Sequence, residues 1–235
     1  MKRAFITFIA VSLMGMSYAQ ELTVTYQATY DTSSPELFAE AGLPEETRAS
    51  LAAAYKDVVM NFQLVVKGDE SEWRVLPGEG KQEIKFMGQT IDINAAIAMQ
   101  ARNYTYKNHA EGISMEKTQV LGKNFIVTDS IQAAKFSVVE GEKKDILGYE
   151  CLKAVSQDGK TTAWYSPQIP ISDEPIATGL EGLVLGFDNG QQTFTATKIE
   201  NTADKQPVRP EGKDTITKKD FTEWVKKRTE MMRRN

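Results

Sequence analysis

The sequence contains one cysteine, Cys151, and one histidine, His109, and these two shortages exclude several kinds of site. A lone cysteine cannot form a disulfide within the chain, so the fold must rely on its apolar core. A lone histidine excludes sites in which several histidines bind one metal ion, and it argues against a serine triad. A Ser-Lys pair stays open as a nucleophilic arrangement. We expect no metal ion and no cofactor.

His109 and Cys151 also lie in sequence surroundings that argue against catalysis. His109 belongs to the polar turn Asn108-His109-Ala110-Glu111, which predicts a solvated side chain. Cys151 lies in an alternating strand, where cysteine usually packs as a small buried hydrophobe. Two hydrolytic arrangements remain as alternatives: Cys151 as a nucleophile with His109 as its base, or a carboxylate pair that sequence spacing does not reveal.

The chain has no excess of basic residues. Its 28 Lys and Arg stand against 32 Asp and Glu, which gives a formal net charge of −4. This mild acidity disfavours nucleic acid as a partner, because binding to phosphates needs a basic face. The glycines of Gly78-Glu79-Gly80 and of Gly179 to Gly182 lack the strand-to-helix context and the lysine of a phosphate-binding loop. Glycine in this chain therefore indicates turns.

The sequence has one long apolar run, at its start. Lys2 and Arg3 precede the run Ala4 to Met16, and Ser17-Tyr18-Ala19 has small residues where a signal peptidase reads them. A helix of this run would span about 20 Å, less than a hydrocarbon core of roughly 30 Å. We predict a signal peptide, residues 1–19, cleaved after Ala19, with an uncleaved anchor as the alternative. The mature protein is expected in the periplasm, without lipidation and without a membrane span.

Alternation of apolar and polar residues predicts that most of the chain is strand. The predicted strands are 21–30, 58–66, 71–76, 83–87, 103–107, 113–121, 124–128, 135–139, 149–155, 161–165, 183–188 and 192–199. Many of the connections are short and rich in turn residues, which permits only antiparallel neighbours. The strands therefore form a meander.

Capping residues predict where helices begin and end. Ser34 and Pro35 begin a helix that runs to Ala41, with Gly42 just past its end, and Pro44 begins a second that runs to about Lys56. Asp92 caps a third, from Ile93 to about Arg102. The pattern predicts an α+β fold in one domain, residues 20–235. Its strongly curved antiparallel sheet resembles the half-barrel of periplasmic lipoprotein carriers, with helices on the concave face.

The chain ends in a predicted amphipathic helix. A polar linker, residues 202–216, precedes it, and Thr217 with Asp220 resembles a capping box. The helix spans 217–234 and carries one apolar stripe and a basic end. Two alternatives follow: the stripe packs on the body of the fold, or the helix contacts an anionic membrane surface.

Three segments carry a family resemblance. They are Ile146 to Ala154, with the sequence ILGYECLKA, Ala163 to Pro170, with AWYSPQIP, and Gly179 to Leu185, with GLEGLVL. Together they resemble the GLPGLI family of exported proteins from Bacteroidota, although Glu181 stands where the family name has proline. The resemblance implies an exported protein and implies no particular activity.

The same segments supply the candidate binding surface. Its residues are Trp164, Tyr165, Pro167, Ile169, Pro170, Gly179, Leu180, Gly182 and Leu183. Trp164 and Tyr165 point to opposite sides of their strand, and Gly179 and Gly182 indicate positive φ or a close approach of two backbones. Ile169, Ile171 and Ile176 would be the apolar contacts of a recognition edge, or else all these residues pack for structure.

The sequence shows no complete catalytic set. We therefore predict a non-catalytic periplasmic module that binds an apolar ligand or an envelope protein. A hydrolase that uses Cys151 or a carboxylate pair is the first alternative, and a purely structural role at the outer membrane is the second.

Overall fold

The computed structural model describes residues 21–39, 42–100, 102–173, 179–201 and 204–234. The predicted signal peptide, residues 1–19, lies outside these ranges. Within them, no helix is both long and apolar enough to cross a lipid bilayer.

The described residues form fourteen strands and three helices. The strands are β1 (Glu21–Tyr30), β2 (Val59–Lys67), β3 (Glu70–Leu76), β4 (Glu83–Phe86), β5 (Gln89–Asp92), β6 (Tyr104–Asn108), β7 (Ile113–Val120), β8 (Lys123–Ser130), β9 (Phe136–Ile146), β10 (Tyr149–Ser156), β11 (Thr162–Ser166), β12 (Leu183–Asp188), β13 (Gln192–Glu200) and β14 (Thr215–Thr217). The helices are α1 (Glu45–Ala54), α2 (Ile93–Gln100) and α3 (Lys218–Arg234).

Twelve of the strands form one sheet in the order β14-β8-β7-β6-β3-β2-β1-β13-β12-β11-β10-β9, and β4 pairs with β5 separately. All neighbours in the large sheet are antiparallel except β14, which pairs with β8 in parallel. The sheet is therefore mixed, and the prediction of a purely antiparallel sheet is wrong at this edge. A long connection precedes β14, which lets the chain re-enter the sheet in the parallel direction. The α+β class is confirmed, and strong curvature into a half-barrel stays a prediction.

β1 lies at the centre of the large sheet, between β2 and β13. Its alternation places Leu22, Val24 and Tyr26 on one face, where all three are buried. Pairing with β2 extends this apolar face to Leu64 and Val66. We call it the inner face and the opposite side the outer face.

The inner face of β1 also contacts β12, although β13 separates the two strands in the sheet. The hydroxyl of Tyr26 donates a hydrogen bond of 2.8 Å to the backbone carbonyl of Val184. Leu183 and Leu185 join the same core cluster as Tyr26 and Leu64. The start of β12 therefore lies across the inner face.

Two of the predicted helices are confirmed as α1 and α2. α1 and α2 match the helices predicted after Pro44 and Asp92, and the Asp92 carboxylate accepts the backbone N–H of Asn94 at 3.0 Å. Ile93 and Ile97 of α2 pack in a buried cluster with Ile84 of β4. Met60 and Val75, on β2 and β3, border this cluster, so α2 and the β4–β5 hairpin cover one end of the inner face.

The helix predicted at residues 35–41 is wrong over the residues that the structure describes there. Residues 35–39 form turns, and Phe38 has a φ of 58°. The Phe38 ring contacts the rings of Tyr55, at a centroid distance of 5.1 Å, and of Tyr30, at 6.0 Å. This aromatic packing favours a backbone conformation that a continuing helix does not allow. Residues 40 and 41 lie outside the described ranges.

The connection to the C-terminal helix runs along the outer face. We call residues 204–214 of the predicted linker the strap. The backbone N–H of Val208 donates to the Glu72 carboxylate at 3.0 Å, and Arg209 donates to both oxygens of Glu111, at 2.7 and 2.9 Å. Because these bonds hold it at two points, the strap is part of the fold rather than a free connection.

The predicted C-terminal helix is confirmed as α3. The Thr217 hydroxyl accepts the backbone N–H of Asp220 at 3.2 Å, as a capping residue does. Phe221 and Trp224 pack edge-on against the buried Phe125 of β8, with ring centroids 5.2 and 4.7 Å away. The first turns of α3 therefore dock on the sheet, while Met231 remains 58% exposed.

Candidate functional site

The residues predicted as a binding surface lie mostly in the core. We call residues 166–182, of which 174–178 lie outside the described ranges, the crossing segment. Tyr165, Ile169, Ile171, Leu180 and Leu183 are buried. Pro167, Pro170 and Gly179 are exposed. A recognition edge formed by this segment would therefore present Pro167 and Pro170 rather than Ile169 and Ile171. Ile176, the third predicted apolar contact, lies outside the described residues.

Trp164 and Tyr165 point to opposite faces of β11, as predicted. Tyr165 is 6% exposed and packs in the core, whereas Trp164 is half-buried. The ammonium groups of Lys144 and Lys153 lie 5.8 and 5.9 Å from the Trp164 ring centroid. Cations at this distance are attracted to the indole face, so Trp164 belongs to a charged surface rather than to an apolar patch.

The two glycines of the family motif are required by close backbone contacts. A Cβ atom at Gly182 would lie 2.3 Å from the carbonyl oxygen of Ser166, and one at Gly179 would lie 2.4 Å from that of Ala134. Both distances are too short for any side chain. The prediction of a close backbone approach at these glycines is confirmed.

The crossing segment is held on the sheet by a buried carboxylate. Asp173 is 1% exposed, and it accepts a hydrogen bond of 3.2 Å from Lys107 of β6. His109 lies with its Nε2 atom 2.9 Å from the other Asp173 oxygen. His109 lies in a turn and is exposed, as predicted. Its contact with Asp173 has no local sequence signal, because the two residues are 64 positions apart.

Cys151 does not have the properties of a nucleophile. Its side chain is fully buried, and burial, helped by the nearby Asp145 carboxylate, raises the pKa of its thiol to about 11. A thiol with this pKa is almost entirely protonated at neutral pH. The prediction of a small buried hydrophobe is confirmed, and the burial and raised pKa of the thiol argue against catalysis by Cys151. The carboxylate pair stays a hypothesis.

A groove of about 840 Å³ lies beside the β7–β8 hairpin. Three stretches of chain form its walls: residues 98, 99, 102 and 103 around the end of α2, residues 117–119 and 124–126 of β7 and β8, and residues 211–214 of the strap. We call it the hairpin groove. Its position follows from the strap, which crosses the outer face and leaves a channel along the hairpin.

Polar side chains contribute most of the lining of the hairpin groove. Its lining residues include three with carboxamide side chains, Asn103, Gln119 and Asn124, and one with a hydroxyl, Thr118. Phe125 and Ile126 also line it, but they are only 3% and 4% exposed. Each carboxamide both donates and accepts hydrogen bonds, so the groove can satisfy a ligand that carries many hydroxyl groups.

Charged residues stand around the same groove. Arg102, Lys117 and Lys213 are basic, and Glu211 and Asp214 are acidic. The Lys117 ammonium lies 5.7 Å from the centroid of the Tyr104 ring, and the guanidinium of Arg74 lies 5.0 Å from the same centroid. Among the described residues, no group of three or more His, Cys, Asp or Glu side chains could hold a metal ion.

No sequence pattern indicates this groove. Its walls come from stretches of chain that are distant in sequence, and none of them contains a motif. The carboxamides at 103, 119 and 124 resemble ordinary polar residues of strands and turns. Only the packing of the strap against the β7–β8 hairpin brings them to one place.

Comparison with known proteins matches more than half of this chain to a family model. Residues 84–222 match the family model described as "N-glycanase peptide, N-terminal domain". All three walls of the hairpin groove lie within these residues. No curated protein matches the sequence significantly. The resemblance to the GLPGLI family is not confirmed by these comparisons.

Two crystal forms of PNGF-II share the fold. The C2 form has a TM-score of 0.50 and 16% identity, and the match covers 87% of this chain and 32% of PNGF-II. The P21 form has a TM-score of 0.53 and 14% identity, with 87% and 33% covered. An uncharacterised conserved protein from Thermus thermophilus has a TM-score of 0.39 and 7% identity, with 85% and 91% covered. This chain spans about a third of the length of PNGF-II.

Proposed function

This chain belongs to the family of the N-glycanase peptide, N-terminal domain, and we propose that it is a non-catalytic module that binds a glycan in the hairpin groove. The family name refers to an enzyme that acts on N-glycans, and we take from it only the class of ligand. The chain covers about a third of PNGF-II, so membership does not bring the activity of the whole enzyme with it.

The observation that carries this proposal is the polar lining of a groove of ligand size. Its volume of about 840 Å³ falls within the roughly 300–1,000 Å³ typical of small-molecule sites. The carboxamides of Asn103, Gln119 and Asn124 can pair with sugar hydroxyls as donors and acceptors.

We prefer a glycan to the apolar ligand expected from the sequence. The apolar side chains of the crossing segment, Ile169 and Ile171, pack into the inner-face core with Val24 and Tyr26. They contribute to stability rather than to an open apolar site. An apolar ligand would also leave the three carboxamides of the hairpin groove without hydrogen-bond partners, which is unfavourable once water is displaced.

Binding without catalysis fits the chemistry of the described side chains better than hydrolysis does. Cys151 is buried and its thiol pKa is raised to about 11, so it supplies no thiolate at neutral pH. His109 contacts the buried Asp173. The hydrolase alternative then depends on a carboxylate pair that no motif identifies.

Export forms part of the same proposal. Cleavage of the predicted signal peptide after Ala19 would deliver a periplasmic protein whose N-terminus is Gln20. In that compartment, the exposed Pro167, Pro170 and Gly179 are a candidate contact for an envelope protein, and the basic end of α3 is a candidate contact for a membrane surface. The mass of the protein recovered from the periplasm tests the cleavage site.

A glycan-binding experiment with a parallel assay for cleavage tests the proposed function. We expect calorimetry of the purified protein with N-glycans to show binding, and mass spectrometry of N-glycopeptides incubated with it to show no glycan release. The double substitution Gln119→Ala with Asn124→Ala should weaken binding at least tenfold, since it removes two hydrogen-bonding side chains.

The exposed Gln157, in a turn distant from the groove in the sequence, offers a matched control. Gln157→Ala should bind glycans as the unaltered protein does. Equal affinities for the control and the groove variant would place the ligand elsewhere and overturn the proposal. Release of glycan from the glycopeptides would replace it with the hydrolase alternative.

A further inference from the structure

The hairpin groove carries an excess of positive charge in a chain that is acidic overall. Arg102, Lys117 and Lys213 face two carboxylates, those of Glu211 and Asp214. The whole chain has a formal net charge of −4. The groove therefore has a positive charge balance, whereas the whole chain has a negative one. A local excess of positive charge attracts anions.

One of the two carboxylates in the groove is already paired. The Lys123 ammonium lies 3.3 Å from Asp214, and it offsets that negative charge. Glu211 is then the one remaining carboxylate beside three cations in this lining. Arg102 and Lys213 form no salt bridge with any residue in the part of the chain that the structure describes, so both remain available to a ligand.

The three cations come from the three different walls of the groove. Arg102 follows α2, Lys117 lies on β7 and Lys213 belongs to the strap. Lys117 lies above the Tyr104 ring, 5.7 Å from its centroid, which limits the directions its long side chain can take. An anionic ligand lying along the groove can therefore meet cations on more than one side.

We propose that the glycan bound in the hairpin groove is acidic, an oligosaccharide that carries carboxylate groups. The inference rests on the proposed function and specifies its ligand. Arg102 binds a carboxylate of the ligand with its planar fork of N–H donors, and Lys117 and Lys213 supply further positive charge. The carboxamides of the same groove bind the hydroxyl groups, so charge and hydrogen bonding recognise different parts of one molecule.

Two glycans that differ only in charge test this inference. The probes are a biantennary N-glycan with two terminal sialic acids and the same glycan after removal of both. We expect the sialylated glycan to bind at least tenfold more tightly in about 50 mM salt, and its advantage to fall below threefold in about 500 mM salt, because salt screens exposed charges.

A pair of charge-matched double variants shows whether the groove itself is responsible. Arg102→Ala with Lys213→Ala should reduce the preference for the sialylated glycan below threefold. Lys226→Ala with Lys227→Ala, on the exposed surface of α3, makes the same change in net charge and should preserve the full preference.

The outcomes separate this inference from the proposed function. Equal binding of the two glycans overturns the acidic ligand and leaves the proposed function in place. Binding of neither glycan overturns both. A preference that both double variants reduce equally overturns the inference as well, because it would then reflect the net charge of the protein and not the groove.

Discussion

The Lys107 ammonium on β6 lies 3.2 Å from the Asp173 carboxylate in the crossing segment, and the two side chains are 10% and 1% exposed. Trp73 on β3 pairs with Leu64 of the inner face, and Ser71, two residues earlier, lies on the same side of β3. Lys107 pairs with Ser71 and therefore also points to the inner face. A charge buried there must have a partner, because removing it from water is otherwise very unfavourable. The contact holds the crossing segment against the apolar core.

Replacing Lys107 with methionine should destabilise the protein strongly. Methionine fills similar space, but it leaves the Asp173 carboxylate buried with one cation fewer. We expect the free energy of unfolding at pH 7 to fall by about 3 kcal/mol, which is typical when one partner of a buried pair is removed. Urea unfolding measures this change.

Lys143→Met is the matched control for that experiment. Lys143 pairs with Glu150 at 2.8 Å, and both side chains are more than half exposed. We expect this variant to lose less than about 1 kcal/mol, since exposed ion pairs contribute little. Equal losses in the two variants would show that the Lys107 contact is no stronger than a surface pair.

Replacing Gly182 with alanine should also destabilise the fold. The added Cβ would meet the Ser166 carbonyl oxygen at 2.3 Å, so the backbone must shift. We expect a loss of about 2–4 kcal/mol, from strain and displaced core packing. Thermal and urea unfolding of the variant measure this loss.

Gly159, in a turn with a φ of 72°, offers a comparison in which the alanine Cβ has open space around it. Gly159→Ala should lose about 1 kcal/mol, for the positive φ alone. If Gly182→Ala lost no more than Gly159→Ala, close backbone approach would not be the reason for glycine at position 182.

The Cys151 thiol should react slowly in the native protein. Burial raises its pKa from 9.0 to about 11, which lowers the thiolate fraction at pH 8 by about 100-fold. We expect iodoacetamide to modify the native protein at least 100 times more slowly than the protein in urea. Mass spectrometry of timed samples measures both rates.

The same pKa shift sets a dependence of stability on pH. The folded state holds the thiol proton more tightly than the unfolded state does, so the stability from the neutral thiol is complete below pH 9. It is lost as the pH rises towards 11. Between pH 9 and pH 11, the free energy of unfolding of Cys151→Ala should therefore fall less than that of the unaltered protein. Rapid modification of the native protein by iodoacetamide at pH 8 would contradict this pH dependence and the slow reaction alike.

The two halves of α3 should contribute unequally to stability. Trp224 packs on the buried Phe125, whereas Met231 is 58% exposed. Trp224→Ala should lower the free energy of unfolding by about 2 kcal/mol, and Met231→Ala should change it by less than about 0.5 kcal/mol. Urea unfolding of both variants gives the comparison. Equal effects would mean that the distal turns also dock on the protein.

Local patterns in the sequence predicted most of the secondary structure. The alternation in β1 and the turn between β2 and β3 depend on neighbouring residues, and so do the caps at Asp92 and Thr217. Such features need no knowledge of distant contacts. The failed helix at residues 35–41 shows the limit, because Phe38 packs with Tyr30 and Tyr55 in a way that no local signal shows.

The binding surface predicted around Trp164 and Tyr165 was correct only in part. The sequence indicated that Trp164 and Tyr165 face opposite ways, since alternation in a strand is a local rule. It left open whether Ile169 and Ile171 are exposed or buried, because the core that covers them includes Val24, from a strand far earlier in the chain. A loop isoleucine has the same sequence signal whether it is exposed for recognition or buried for stability.

The sequence by itself determined most of the strands and the helix caps, because each depends on the backbone chemistry of a few neighbouring residues. Tertiary structure alone decided that β1 lies at the centre of the sheet, that Asp173 meets Lys107 and that the strap forms one wall of the hairpin groove. These three features are long-range contacts, and such contacts arise when the whole chain buries its apolar surface and pairs its buried charges.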